Sequence, residues 1–193
     1  MTDINKITAL FNGVELSNVE EGLILQKFQE ITVQKNDLLV RHNETIQYQY
    51  YVVKGCLRTY FIDESGKEHT IQFAIEDWWI SDYIAYFGNR KTVFNIECIK
   101  EALLLRIKKD DLEEIYNKVP QIERFFRKKI EKAFVRQELR ILGNLTQTAK
   151  ERYLLFLETY PLIEKNIKNY HIASYLGITT ESLSRIRKEI AVN

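Results

Sequence analysis

Residues 169–188 read NYHIASYLGITTESLSRIRK, and their pattern is that of helix, tight turn, helix. Ile172 and Leu176 face inward from the first helix, Ala173 is small enough for a second helix to approach, and Gly177 stands at the turn, where positive φ is needed. Ile178 covers that turn. Thr179 suits the N-cap of the second helix, and Glu181 in its first turn suits the dipole. Leu183 and Ile186, three apart, point inward, which leaves Thr180, Glu181, Ser184, Arg185 and Lys188 outside. A Leu-Gly turn alone is common in helix pairs of every kind. The full set of Ile172, Ala173, Leu176, Gly177, Ile178, Leu183 and Ile186 is far more restrictive. The outer face is rich in hydroxyls and arginine, groups that reach phosphates and base edges in a major groove. The stretch predicts a helix-turn-helix whose DNA-contacting residues are Thr179, Thr180, Glu181, Ser182, Ser184, Arg185 and Lys188.

Working back toward the N-terminus, Thr148 to Tyr160 has the spacing of an amphipathic helix with Leu154, Leu155 and Leu157 as its apolar members. Gly143 is expected to break the preceding helix, with Asn144-Leu145-Thr146 as a hinge. That preceding helix starts at Pro120, whose missing N–H would be unpaired in a first turn anyway. It runs to about Leu142, roughly 30 Å at about 1.5 Å per residue. Its apolar positions are Ile122, Phe125, Phe126, Ile130, Ala133, Phe134, Ile141 and Leu142, with Arg127, Lys128, Lys129, Lys132 and Arg136 between them. A helix of this length and two-sided character can pack on its own domain and on a second copy of itself. Ile122, Phe126, Ile130, Ala133 and Ile141 are the expected dimerisation residues.

Before Lys109 the grammar differs. Ser17 followed by Glu20 is a capping-box pair opening a short helix that ends near Glu30. From Ile31 to Ile107, runs of β-branched and aromatic residues are broken by Lys35-Asn36-Asp37, His42-Asn43-Glu44, Lys54-Gly55, Ser65-Gly66-Lys67 and Gly88-Asn89-Arg90, which predicts a β-domain of short strands. Asp63 to Lys67 reads as a hairpin tip, and Asp110 to Tyr116 as a short helix. The fold class is therefore α+β: an antiparallel β-domain with flanking helices over residues 1–118, a dimerisation helix over 119–143, and an all-α helix-turn-helix domain over 144–193.

The 193 residues, 45% hydrophobic and 28% charged, have ordinary globular composition. With 28 Lys and Arg against 27 Asp and Glu, the net charge of +1 carries no signal by itself. Its distribution does: residues 1–120 carry −5 and residues 121–193 carry +6. Cys56 and Cys98 lack CxxC spacing, nothing near Met1 resembles a signal peptide, and no apolar run approaches the roughly 20 residues that span a bilayer. These features predict a reduced, cytoplasmic protein with no membrane contact.

Several segments resemble the Crp/Fnr superfamily of bacterial transcription regulators: QKNDLLVRHNE (34–44), YYVVKGCLRTYFIDESGKE (50–68), the helix after Pro120, Ala149 to Arg152, and the helix-turn-helix. The resemblance implies a jelly-roll β-roll of the cyclic-nucleotide-binding type, a dimerising helix and a C-terminal DNA reader. As partners it implies a pseudo-palindromic double-stranded operator, a second copy of the chain, and RNA polymerase. Asn36 and Asn43 stand where the family usually has glycine, which is compatible because Asn visits the left-handed region more readily than most residues. The family binds the ribose and phosphate of cyclic AMP through a Gly-Glu pair and an Arg-Ser ten residues beyond the Glu. Here those positions hold Ser81-Asp82 and Thr92-Val93, so cyclic AMP in the family manner is not expected, and no cofactor is. A cyclic-nucleotide-responsive alternative has Arg90 or Lys91 supply the cation after a register shift in the loop. The effector pocket would comprise Ser81, Asp82, Tyr83, Arg90, Lys91, Thr92 and Val93, while Tyr83, Tyr86, Phe87 and Phe94 either fill the core or line an apolar site. Of the family's base-reading Arg, Glu, Arg, the positions here hold Thr180, Glu181 and Arg185, so the operator should differ from that of the best-known members. The chain ends at Asn193, soon after the recognition helix, and the β-hairpin wing usual in the family is not expected.

Rival readings are weaker. A cupin-type enzyme needs clustered histidines as metal ligands, whereas His42, His69 and His171 are isolated, so neither catalytic nor metal-binding residues are assigned. An iron-sulfur sensor needs about four cysteines. A haem sensor would need only one or two ligands. A protein-interaction module whose helix-turn-helix packs on a partner is opposed mildly by Arg185, Arg187 and Lys188, taken as exposed.

Overall fold

The computed structural model describes residues 4–161, 164 and 167–191. Helices α1 (Ile4–Leu10) and α2 (Asn18–Lys27) precede strands β1 (Gln29–Val33), β2 (Leu38–Val40), β3 (Tyr48–Ile62), β4 (Glu68–Ala74) and β5 (Trp79–Ile80). Helix α3 (Tyr83–Gly88) and strand β6 (Asn95–Lys108) follow, and then α4 (Lys109–Lys118), α5 (Pro120–Thr146), α6 (Ala149–Thr159), α7 (Asn169–Leu176) and α8 (Thr180–Ala191). The antiparallel sheet runs in the order β1-β6-β3-β4, with β2 also on β6 and β5 also on β3. Contacts divide the chain into two units: Met1–Thr59 with Phe73–Glu131, and Tyr60–Gln72 with Lys132–Asn193.

The first unit has two cores because strands present alternate residues to opposite faces. On β6, Ile96, Cys98, Ala102 and Leu104 enter one core together with Val33, Val40, Val52 and Ile80. Leu105 and Ile107 enter the other, formed with Ile7, Phe11, Ile24, Phe28, Leu112, Ile115, Ile122 and Phe126 from the helices. On β3, Tyr50 and Val52 share a face with the odd-numbered Leu57, so one residue of the alternation is absorbed between them. Gly55 lies there at φ 111°, and a Cβ on it would meet Glu101 O at 2.5 Å and Ala102 Cα at 2.6 Å. Lys54-Gly55 thus marks a crossing where β3 and β6 approach too closely for a side chain.

Several local expectations hold. The capping box forms, with Ser17 N donating to Glu20 Oε2 at 2.7 Å and Glu20 N to Ser17 Oγ at 3.4 Å. Asn36 and Asn43 adopt φ of 72° and 68°. The hairpin tip closes through Gly66 N to Asp63 O at 2.9 Å and Asp63 N to Lys67 O at 3.0 Å. Hydrogen bonds from the Ser65 hydroxyl, His69 and Lys67 N hold the Asp63 carboxyl well below its usual range.

Others are corrected. Helix α1 was not expected; its Ile7 and Leu10, with Phe11 just after it, are buried with α2, β6 and α4 residues in the helix-side core. Gly143 does not break its helix, since α5 continues to Thr146. A helical interior glycine costs only about 1 kcal/mol relative to alanine, too little to stop a helix whose next strong N-cap is Thr148. There Thr148 and Glu151 form a second capping box that starts α6. The inward face of α6 is Tyr153 and Phe156, continued by Tyr160 at its C-cap, whereas Leu154 and Leu155 are exposed. Aromatic packing decides this: Phe156 lies 5.1 Å from Tyr160 and 5.6 Å from Tyr175, ring centroid to centroid.

Candidate functional site

In the second unit, α7 ends at Gly177, whose φ of 67° and ψ of 33° are left-handed. Ile178 N donates to Ala173 O at 3.0 Å and Gly177 N to Ser174 O at 3.2 Å, the paired bonds of a Schellman turn. Thr179 then caps α8, its Oγ1 accepting from Ser182 N at 3.2 Å. Ile172, Ala173, Leu176, Leu183 and Ile186 are all buried, as their spacing predicts. Ile178 is half-buried over the turn.

The outer face of α8 is equally ordered. Glu181, Ser184, Arg185 and Lys188 are exposed and Thr180 half-exposed. These five side chains surround one shallow, open depression. Hydrogen bonds from its own backbone N–H and from the Thr179 and Thr180 hydroxyls hold the Glu181 carboxyl below its usual range, so it is an ionised acceptor at neutral pH. Two of the hydroxyls have local tasks: Ser184 Oγ donates to Thr180 O at 2.9 Å, and Thr179 Oγ1, donating to Glu181, lies 3.3 Å from Ser182 Oγ. Lone pairs remain on these oxygens, but their donor hydrogens are spent locally.

Arg187 is corrected. It is half-buried and points away from the outer face, with Nη2 on Glu164 Oε1 at 2.8 Å, Nε on the Tyr153 hydroxyl at 3.0 Å and Nη1 on Asn169 Oδ1 at 2.6 Å. Sequence reading missed this role because its partners lie 18 to 34 residues away.

Helix α7 is also tied to the β3–β4 hairpin segment of the same unit. Thr70 N donates to Ser174 Oγ and Ser174 Oγ donates to Glu68 O, both at 2.9 Å. Arg140 donates to the carbonyls of Ile71 and, at 3.3 Å, Tyr175, and its guanidinium sits 4.2 Å from the Tyr175 ring centroid.

The expected effector residues are placed as follows in the first unit. Asp82 caps α3, accepting from Ile84 N at 2.9 Å and Ala85 N at 3.1 Å, and takes a short hydrogen bond from the Thr92 hydroxyl. Asp82 and Thr92 are each 1% exposed. Ser81 Oγ donates to Tyr48 O at 2.9 Å. The ten-residue spacing therefore does bring positions 82 and 92 together, with a carboxylate and a hydroxyl satisfying each other. Lys91 Nζ instead donates to Thr45 Oγ1 at 3.1 Å on the exposed surface, and Arg90 is exposed beside Gly88. Tyr83 and Val93 are surface residues. Of the four aromatic residues considered as core, Tyr86 is fully buried, Phe94 is half-buried and Phe87 is exposed.

Two of the expected dimerisation residues are corrected. Ile122 (0% exposed) and Phe126 (4%) are consumed by the helix-side core, where Phe126 meets Trp79 at 4.6 Å between ring centroids. Ile130, Ala133 and Ile141 are exposed, and so are Phe134, Val135, Leu139, Leu142 and Leu145. Among the described residues no helix is long and apolar enough to cross a membrane, and no group of three or more His, Cys, Asp or Glu could hold a metal ion. Burial pushes the Cys56 thiol up to about 12 and the Cys98 thiol up to about 11, so neither offers a thiolate at neutral pH.

Residues 30–119 match the family described as the cyclic nucleotide-binding domain. Regulatory protein HlyX of Actinobacillus pleuropneumoniae is 22% identical over 167 residues, 80% of this chain and 68% of its own. The fold is similar to that of the c-di-GMP-responsive global regulator CLP of Xanthomonas campestris, with a TM-score of 0.71 over 91% of this chain and 92% of that one at 10% identity. It is also similar to a Crp/Fnr-family transcriptional regulator of Eubacterium rectale, with a TM-score of 0.70 over 92% and 84% at 20% identity.

Proposed function

We infer from the Crp/Fnr fold of this chain, and from the cyclic nucleotide-binding domain at residues 30–119, that it is a transcription regulator of that type acting in the cytoplasm. We propose that it binds a pseudo-palindromic operator as a homodimer, with α8 of each copy in successive major grooves, and that it does so without cyclic AMP. The carrying observation is the division of α8: Leu183 and Ile186 are buried while Glu181, Arg185 and Lys188 stand outward around one depression. Residues 144–193 are the proposed DNA-binding part, 119–143 the dimerisation helix and 1–118 the effector-type part. Two such readers on one face of a duplex need half-sites about 34 Å apart.

Arg185 is the proposed bidentate partner of guanine and Glu181 an acceptor from cytosine. Lys188 and the hydroxyls of Thr179, Ser182 and Ser184 face phosphates, the Thr179 and Ser184 hydrogens turning from their local acceptors to do so, and Thr180 stands where a second guanine contact would be lost. The test is selection of a duplex from a random pool, followed by titration at fixed salt. Arg185→Ala should cost about 1–3 kcal/mol on the selected site and flatten preference at one base pair. Lys188→Ala should weaken all sequences alike and lower the salt slope by about one. Unchanged preference in Arg185→Ala would refute this docking.

Independence from cyclic AMP rests on Asp82 and Thr92. A cyclic phosphate seated beside Thr92 would face the buried Asp82 carboxylate in place of a guanidinium, and desolvating it there would cost several kcal/mol. Calorimetry at millimolar nucleotide should show no saturable heat. Binding at micromolar nucleotide would instead assign Arg90 or Lys91 to the phosphate.

A further inference from the structure

The assignment of α8 as the DNA reader leaves open what fixes the rotation of that helix about its own axis. Its buried contacts through Leu183 and Ile186 are apolar and therefore non-directional. A rotation of roughly 10° would move an atom at the helix surface, about 6 Å from the axis, by about 1 Å. That is enough to break a base-edge hydrogen bond while leaving apolar burial almost intact.

Arg187 supplies the missing directionality. It follows Arg185 by two residues, about 200° around a helix of about 3.6 residues per turn, so it faces away from the proposed groove. Its Nε, Nη1 and Nη2 are each engaged, on the Tyr153 hydroxyl of α6, on Asn169 at the start of α7 and on Glu164 between them. The Tyr153 hydroxyl in turn donates to Glu164 Oε1 at 2.9 Å, so the acceptors are themselves braced. The guanidinium also lies 5.7 Å from the Tyr153 ring centroid. A planar fork with a separate partner on each of its three nitrogens tolerates little rotation, and a lysine ammonium on a flexible stem could not reproduce it.

We propose that Arg187 is the positioning residue that sets the axial rotation of α8, and thereby determines which base edges Thr180, Glu181 and Arg185 reach, without itself touching DNA. This rests on the reading of α8 as the recognition helix. Sequence choice would then depend on a residue on the buried side of the helix.

The test uses the full chain, the duplex that the wild type selects from a random pool, and a scrambled duplex of the same length. Arg187→Ala and Arg187→Lys should each weaken the selected duplex at least tenfold while leaving the scrambled duplex and the salt slope unchanged. Reselection with either variant should flatten preference at the base pair read by the intact Arg185. Tyr153→Phe, which keeps the ring and removes only the hydroxyl, should shift preference in the same direction more weakly, and it serves where Arg187→Ala does not fold. A salt slope lower by about one would mean that Arg187 contacts phosphate, and would overturn the proposal. So would full rescue by lysine, a parallel loss on both duplexes, or an unchanged preference with only a lower melting temperature. If the wild type enriches no sequence at all, the DNA-reading assignment fails by itself and the positioning role falls with it.

Discussion

Gly55→Ala is expected to destabilise the first unit by about 4 kcal/mol, the sum of two separate costs. A side chain held at φ 111° is strained by roughly 1–3 kcal/mol. In addition, its Cβ would lie 2.5 Å from Glu101 O and 2.6 Å from Ala102 Cα, both backbone atoms of β6. Relief requires β6 to move, and β6 holds β1 in register from Gln29 opposite Arg106 to Val33 opposite Ala102. Forcing an extra methyl into a packed interior adds roughly 1–3 kcal/mol. At about 2–4 °C per kcal/mol for a chain of this size, the melting temperature should fall by about 8–16 °C. Gly66→Ala is the control: its φ of 82° carries the strain, but nothing lies within 4 Å of the added Cβ. Its cost should be only the strain, about 1–3 kcal/mol. Equal losses in the two variants, measured by thermal or denaturant unfolding, would show that the β3–β6 crossing is looser than described.

Phe134→Glu should convert the chain to a monomer and nearly abolish operator binding. Phe134 is 62% exposed near the middle of α5 and is flanked by exposed Ile130, Ile141 and Leu145 on nearly the same helical face, with Val135, Leu139 and Leu142 adjoining. Such a face is larger than solitary exposed residues require, and a helix copy laid along it would bury it. In a dimer the substitution would place two carboxylates against that apolar contact. Sedimentation should give a mass near 23.0 kDa for the variant and near twice that for the wild type at micromolar concentration. Linking two half-site readers makes the second contact intramolecular, so losing the link should weaken the selected duplex by about 10²–10⁴-fold. Binding to an isolated half-site should stay unchanged. A dimeric variant with full affinity would mean that the face is not the dimer contact.

Much of this chain was legible as local chemistry. Ser17 with Glu20, Asp63 to Lys67 and Pro120 depend on partners within a few residues, so their spacing alone specified them, whereas the left-handed φ of Asn36 and Asn43 was implied by the family resemblance. Spacing also specified the helix-turn-helix, because Gly177, Thr179 and the i, i+3 pair Leu183 and Ile186 satisfy one another across a single turn. The outward set on α8 followed by subtraction. The departure at Thr92 was readable only through the family resemblance, which supplies the ten-residue offset from Asp82.

What the residues could not declare was which of several apolar or charged groups would be chosen by distant partners. Along α5 an apolar residue every three or four positions looks alike from end to end, yet Ile122 and Phe126 are taken by Phe11, Trp79 and Tyr116 from elsewhere in the chain, while Ile130, Phe134 and Ile141 are left outside. On α6, Leu154 and Leu155 are more hydrophobic than Tyr153, but the tyrosine is buried because its ring stacks near Phe156 and its hydroxyl meets Glu164 and Arg187. Arg58, a cation within β3, is 1% exposed and paired with Glu97 at 2.6 Å, 39 residues away. Arg187 reads the same as Arg185 and Lys188, and only its three partners distinguish it. Local periodicity and capping fix what an element is, because their energies arise within one or two turns. Which face it buries, and which charge is held rather than offered, is set by contacts whose sequence separation carries no periodic signal.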